Sequence, residues 1–113
     1  MKPRSPSPQL QTLKAEFFRA LAHPIRIRLL EVLVNRAFTV TELQRELGVD
    51  QPIVSQQLAR LRSAGIVEAR KRGSTTTYTA ADPLLKDLLL VARKLLNRRL
   101  ISVRSLLKEL RSA

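Results

Sequence analysis

The sequence predicts a mainly α-helical protein with one small β-hairpin. Apolar residues recur every three or four positions through most of the chain, which is the spacing of amphipathic helices. One segment, residues 66–80, instead combines β-prone residues with a glycine near its middle, and this combination predicts a hairpin. The 113 residues suffice for one hydrophobic core, so we expect a single domain over residues 10–111.

The N-terminal residues 1–9 contain three prolines and two serines and have little to bury, so they predict a disordered tail. A first helix follows and ends near Ala22, because its apolar residues lie three or four apart: Leu10, Leu13, Phe17 and Leu21. Pro24 suits the first turn of a second helix, which runs to about Asn35. His23, just before this helix, is expected to pack or to cap.

Residues 41–64 have the spacing of a helix-turn-helix. Thr41 and Gln44 match a capping box that opens a third helix, and Gly48 ends it. Asp50 is a good N-cap for a fourth helix, whose apolar residues Val54, Leu58 and Leu61 share one face. The two helices, of about 7 and 14 residues, are therefore joined by a tight three-residue turn.

The predicted hairpin spans residues 66–80. Residues 66–71 and 75–80 are the β-prone strands, and they flank Arg72, Gly73 and Ser74. Arg70, Lys71 and Arg72 place three adjacent cations at the hairpin tip, where they cannot all fold back onto the core. They suit contacts with phosphates or with a minor groove, although a merely solubilising turn is an alternative.

A long last helix is predicted over residues 83–111, with Asp82 as its cap. Its apolar stripe has near-heptad spacing and extends for about 40 Å at 1.5 Å per residue. One small domain cannot cover so much apolar surface alone, so we expect a symmetric homodimer in which the first and last helices meet the partner. The expected interface residues are Leu10, Leu13, Phe17, Leu21, Leu89, Leu96, Leu100, Val103 and Leu107.

Two segments, AEFFRALAHPIRIRLLEVL and TVTELQRELGVDQPIVSQQLARLRSAGIV, are followed by a basic hairpin and a long helix. Together they resemble the ArsR family of bacterial winged helix-turn-helix transcriptional regulators, over roughly residues 10–110. The resemblance implies a DNA-binding repressor that acts as a homodimer on a palindromic operator. It also implies that the family's DNA-contacting positions are Gln51, Pro52, Ser55 and Gln56 in this chain.

The residue chemistry of the fourth helix supports the same role. With its apolar face turned inward, Ser55, Gln56 and Arg60 lie on the exposed side. Small side chains there allow a close approach to the major groove, glutamine can bind adenine through two hydrogen bonds, and serine can contact several base edges. A solvated helix face without a ligand is the alternative reading.

Composition limits the remaining functions. Twenty-one Lys and Arg against nine Asp and Glu give a net charge of +12, which indicates a polyanionic partner, either nucleic acid such as double-stranded DNA or an acidic membrane surface. The chain has no cysteine and one histidine, and Thr39 and Thr41 stand where metal-sensing members of the family have cysteines. We therefore expect no metal site, no cofactor and no redox sensing. An inducer would be a small ligand or a protein partner, and the absence of any inducer also stays open.

No nucleophile with a base and no phosphate-binding glycine loop is evident, so the protein is not expected to be an enzyme. The N-terminus lacks the apolar run of a signal peptide, and a cytoplasmic location is expected. A basic amphipathic helix can also lie on anionic lipid. The alternative function is therefore a basic protein that binds nucleic acid without sequence preference or binds a membrane surface.

Overall fold

A computed structural model describes residues 7–112 of the chain. The helices are α1 (Pro8–Leu21), α2 (Pro24–Leu33), α3 (Val40–Leu47), α4 (Gln51–Ser63) and α5 (Leu84–Ser112). The strands β1 (Val67–Arg72) and β2 (Thr75–Ala80) form one antiparallel hairpin. The mainly helical fold with one hairpin and a long C-terminal helix is therefore confirmed.

The first helix begins earlier than predicted. Ser7 is its N-cap, with its hydroxyl accepting from the Leu10 N–H at 3.2 Å, and Pro8 occupies the first turn. Proline fits there because it lacks only an N–H that would have no partner within the helix. The predicted tail is thus wrong for residues 8 and 9, and its first six residues lie outside the described part of the chain.

The helices α2 and α3 show where the local cap predictions succeed and fail. His23 caps α2 through Nδ1, which accepts from the Ile25 N–H at 3.1 Å, so the capping role is confirmed. The cap of α3 is Thr39 and not Thr41. The Thr39 hydroxyl accepts from the Glu42 N–H, and the Glu42 carboxylate accepts from the Thr39 N–H, which completes a capping box two residues before the predicted one.

The core of the unit that ends at Asp82 lies between α2, α3, α4 and the hairpin base. Its fully buried side chains come from each of these elements: Leu29, Leu30, Leu33, Leu43, Val54, Leu58, Leu61, Ile66 and Val67. Burial of this kind contributes roughly 1.5–3 kcal/mol per large aliphatic side chain. The helix-turn-helix is therefore held by its own apolar face, which leaves the opposite face of α4 to solvent.

Two backbone hydrogen bonds tie the hairpin to the segment before α3. The Phe38 N–H donates to the Tyr78 carbonyl at 2.9 Å, and the Tyr78 N–H donates to the Phe38 carbonyl at 2.8 Å. Phe38 is buried, and the Arg36 guanidinium lies over its ring at 3.6 Å. This bridge, which the sequence analysis did not predict, fixes the base of the hairpin.

A second compact unit begins at Pro83 and consists of α5, whose 29 residues extend about 43 Å. Most of its large apolar side chains are exposed, including Leu96 at 59%, Leu100 at 62% and Leu107 at 49%. No helix in residues 7–112 is both long and apolar enough to cross a bilayer. The expectation of a single domain over residues 10–111 stays a prediction.

Candidate nucleic-acid interface

The turn between α3 and α4 sets the direction of α4. Gly48 has a φ of +65°, a left-handed conformation that glycine adopts without steric cost, and it ends α3. Arg28 of α2 reaches the same helix end, because its Nη2 donates to the Leu47 carbonyl at 2.6 Å. A cation at a helix C-terminus satisfies a free carbonyl and opposes the helix dipole. The start of α4 is therefore anchored through α3 to α2.

Asp50 lies at the N-cap position of α4, as predicted, but its side chain makes no capping hydrogen bond. Pro52 lies in the first turn of the helix. The helix start is therefore held by the preceding turn and by its buried face more than by its cap.

The predicted DNA-contacting residues of α4 all lie at the surface. This exposed set consists of Gln51, Pro52, Ser55, Gln56 and Arg60. The side chains of Ser55 and Gln56 make no hydrogen bond within residues 7–112, so their donors and acceptors are open to a ligand. Small, neutral, hydrogen-bonding side chains on a rigid helix can approach base edges in a major groove.

The hairpin divides its three cations between two faces. Lys71 pairs with Thr76 and lies two residues from Ala69, which pairs with Tyr78, so these side chains share a face. Arg70 and Arg72 lie on the opposite face, paired with Thr77 and Thr75. All three cations are exposed, as predicted, but they do not form one cluster.

The strand register gives a two-residue turn, Gly73-Ser74, where the sequence analysis predicts three residues including Arg72. Gly73 has a φ of +59°, whereas the φ of Ser74 is not positive. This combination matches a type II′ turn, which favours glycine at its first central position. Arg72 is consequently part of β1, and its side chain has a defined face.

An open cleft of about 400 Å³ separates the exposed side of α4 from the hairpin. It is lined by Ser55, Ala59, Arg62, Ser63 and Tyr78. Neither Arg62 nor Tyr78 is among the site residues predicted from the sequence. Arg62 follows Ser55 by seven residues, two helical turns, and this spacing alone could have placed it on the same side of α4. Tyr78 required the strand register.

One carboxylate, in the first turn of α3, has a shifted pKa. The Thr39 backbone N–H donates to Glu42 and lowers the pKa of that carboxyl below its ordinary value of 4.5. The Arg36 guanidinium lies 3.4 Å from the same carboxylate and acts in the same direction. Glu42 is therefore ionised at neutral pH and neutralises Arg36.

Within residues 7–112, no three His, Cys, Asp or Glu side chains are grouped so that they could hold a metal ion.

The predicted dimer residues fall into three groups by burial. Leu21 is 6% exposed and belongs to the core, which contradicts its assignment to an interface, because it lies on the side of α1 that packs towards α4. Phe17 and Leu89 are half-buried. The others present their side chains to solvent: Leu10, Leu13, Leu96, Leu100, Val103 and Leu107.

Sequence and structure comparisons agree on the type of protein that this chain resembles. Residues 23–69 match the model of the bacterial regulatory proteins of the arsR family. The HTH-type transcriptional regulator Rv0081 of Mycobacterium tuberculosis is 48% identical over 107 residues, which cover 94% of each chain. Its crystal structure aligns with a TM-score of 0.76 over 88% of this chain and 99% of that chain, at 49% identity.

Two further relatives are a repressor and a DNA-binding domain by name. The probable mercury resistance operon repressor of Streptomyces lividans is 41% identical over 79 residues, covering 70% of this chain and 63% of that protein. The homodimeric winged helix-turn-helix DNA-binding domain of Mb0332 from Mycobacterium bovis has 26% identity and a TM-score of 0.75, covering 88% of this chain and 94% of that chain.

Proposed function

Because the chain belongs to the ArsR family of bacterial regulatory proteins, we propose that it acts as a homodimeric repressor that binds a palindromic operator with sequence specificity. It is a DNA-binding transcriptional regulator by family, and the dimer, the palindrome and repression are our proposal. The main observation in support of this proposal is the exposed polar face of α4. There Ser55 and Gln56 have free hydrogen-bonding groups, on a helix whose other face is buried.

In this proposal the N-terminal half of α4 enters the major groove. Gln51, Pro52, Ser55 and Gln56 then face base edges, and Gln56 can bind adenine through both atoms of its amide. Arg60 lies one turn beyond Gln56 and meets a phosphate. The hairpin cations Arg70, Lys71 and Arg72 contact the sugar-phosphate backbone or the adjacent minor groove.

Dimerisation supplies the affinity that one half-site lacks. A single recognition helix and hairpin offer a small surface, whereas two linked copies gain from effective concentration. The exposed apolar side chains of α5 support a twofold interface, to which Leu10, Leu13 and Phe17 of α1 contribute. Two recognition helices then enter successive major grooves about 34–36 Å apart. The homodimeric relative Mb0332 is consistent with this assembly.

The test of sequence-specific binding uses duplexes from the DNA that flanks the gene of this protein, compared with a scrambled duplex of equal length. Fluorescence anisotropy should give tighter binding to a palindromic segment. Gln56→Ala should reduce the operator preference by roughly 1–3 kcal/mol per half-site, with little effect on the scrambled duplex. Glu46→Ala, at an exposed position of α3, serves as the control. Equal affinity of the unmodified protein for both duplexes would refute the proposal.

A second candidate function rests on α5, which combines exposed leucines with eight basic residues. Such a helix can bind anionic lipid, so the protein could act at a membrane surface or on nucleic acid of any sequence. Liposome flotation in parallel with the anisotropy measurements separates the candidates. Flotation with anionic vesicles together with equal binding of both duplexes would favour the second function.

A further inference from the structure

We infer that the cleft between α4 and the hairpin binds the DNA phosphate backbone, with Arg62 and Tyr78 as the contacting side chains. The inference rests on the proposed DNA-binding role of α4 and adds a separate contact surface to it. The cleft has a volume of about 400 Å³ and opens beside Ser55, which lies on the proposed base-reading face.

The position of the cleft determines which part of a duplex reaches it. A recognition helix contacts base edges through its N-terminal residues, while a hairpin beside it reaches the neighbouring minor groove. A major groove and the adjacent minor groove are separated by one sugar-phosphate strand. A duplex held by both elements therefore passes this strand across the cleft between them.

The chemistry of the lining suits a phosphodiester. Arg62 is exposed, and its guanidinium has no hydrogen-bond or ion-pair partner within residues 7–112. Guanidinium groups bind phosphate oxygens through two parallel hydrogen bonds. Tyrosine hydroxyls are also common phosphate donors. Ala59, between Ser55 and Ser63 on the helix, has a side chain too short to fill the cleft.

Tyr78 is held in place by the fold. Its backbone pairs with Phe38 in both directions, and it lies opposite Ala69 in the hairpin. Its ring is half-buried on a backbone that is paired on both sides, and this pairing keeps the residue in the lining of the cleft. Lys71 lies on the same hairpin face, two residues from Ala69, and extends the positive charge from the cleft towards the hairpin tip.

A carboxylate in the cleft would repel phosphate, and its absence is the second argument for this occupant. None of the five lining residues is acidic. The nearest acidic residue of the hairpin, Glu68, pairs with Thr79 and so lies on the opposite face from Ala69 and Tyr78. The charged group in the lining of the cleft is therefore the Arg62 guanidinium, and the hydroxyl-bearing residues Ser55, Ser63 and Tyr78 lie beside it.

The test measures binding of the full-length protein to the operator and to the scrambled duplex over a range of salt concentrations. Arg62→Gln removes the charge and Tyr78→Phe removes only the hydroxyl. The control is Arg98→Gln, which removes an equal charge from an exposed position of α5. Thermal melts monitored by circular dichroism check that the variants fold.

Arg62→Gln should weaken both duplexes by the same factor, at least about tenfold, relative to the control. It should also reduce the slope of log K against log salt by about one unit per half-site. Tyr78→Phe should weaken both duplexes equally without changing that slope. If Arg62→Gln does not fold, Arg62→Lys, which keeps the charge but not the paired hydrogen bonds, should give a smaller loss at an unchanged slope.

Two outcomes would overturn the inference. Binding equal to that of Arg98→Gln would mean that the backbone does not enter the cleft. A loss confined to the operator would mean that Arg62 reads bases and not phosphates. Neither outcome touches the proposed function, which depends on the operator preference of the unmodified protein.

Discussion

Shortening Leu100 on α5 should weaken the dimer without disturbing the fold of the chain. Leu100 is 62% exposed, so this fraction of its side chain is available for burial against a partner. Complete burial of a leucine contributes roughly 1.5–3 kcal/mol, so the available part contributes about 1–2 kcal/mol per copy. A twofold interface contains two copies, and Leu100→Ala should therefore cost the dimer about 2–4 kcal/mol.

This free energy corresponds to a dimer dissociation constant raised by roughly 30-fold to 700-fold. Sedimentation equilibrium over a wide concentration range measures this constant directly, and the unmodified protein should have a mass near twice 12.8 kDa. The matched control is Ile101→Ala. Ile101 is 63% exposed but lies about 100° further round the helix, away from the stripe of Leu96, Leu100 and Leu107.

The control should dimerise like the unmodified protein. Equal effects of the two substitutions would mean that the stripe does not form the interface. An unmodified protein that stays monomeric at micromolar concentration would contradict the dimer itself.

Four further outcomes test other parts of the structure. Leu58→Ala should lower the free energy of unfolding by about 2–5 kcal/mol in urea titrations, because Leu58 is only 1% exposed; no loss would mean that the core lies elsewhere. Thr39→Ala should cost about 1 kcal/mol through the lost cap of α3, whereas Thr41→Ala should cost less, and the reverse order would contradict the observed capping box. Because the pKa of Glu42 is lowered in the folded state, its contribution to stability is complete above the ordinary value of 4.5 and disappears as the pH falls through the lowered pKa. In Glu42→Gln, the free energy of unfolding should therefore depend less on pH, and only in that acidic range. Zinc, cadmium, arsenite and peroxide should leave operator affinity unchanged within about twofold, and a stoichiometric metal that releases DNA would show that a ligand set exists.

The order of the elements could be predicted from the sequence because each has a strong local pattern. The buried stripe Val54, Leu58 and Leu61 identifies α4 without any tertiary information. The start of α1 was also locally encoded, since a serine followed by a proline is an ordinary helix beginning, but the proline-rich composition of the tail obscured it. Local sequence rules are therefore sufficient to predict an element when no second sequence pattern in the same segment points to a different structure.

The start of α3 shows where local rules fail. Thr39 with Glu42 and Thr41 with Gln44 are overlapping capping-box patterns of equal quality. The structure uses the first, next to the bridge that pairs Phe38 with Tyr78. That pairing joins residues forty positions apart, and no local pattern encodes it. A tertiary contact, and not the local pattern, therefore decides between the two capping boxes.

The hairpin cations show a similar limit. A three-residue turn would pair Lys71 with Thr75, whereas the observed turn pairs it with Thr76. Because strand side chains alternate, a shift of one residue changes which face of the hairpin a cation shares with Tyr78. The residue types of the candidate site were thus predictable, but the cleft between α4 and the hairpin was not.

Because of the bridge between Phe38 and Tyr78, we expect the base of the hairpin to be less mobile than its tip. Its base is clamped on both sides, by β1 and by Phe38, while the tip around Gly73 is held only by the pairing of the two strands. The amides of Phe38 and Tyr78 should therefore exchange slowly with solvent, and those near Gly73 quickly. Immobilising a long side chain on binding costs about 0.5–1.5 kcal/mol. Within the hairpin this cost falls on the cations near the tip, which move on a faster timescale than the paired base, while α4 keeps its orientation.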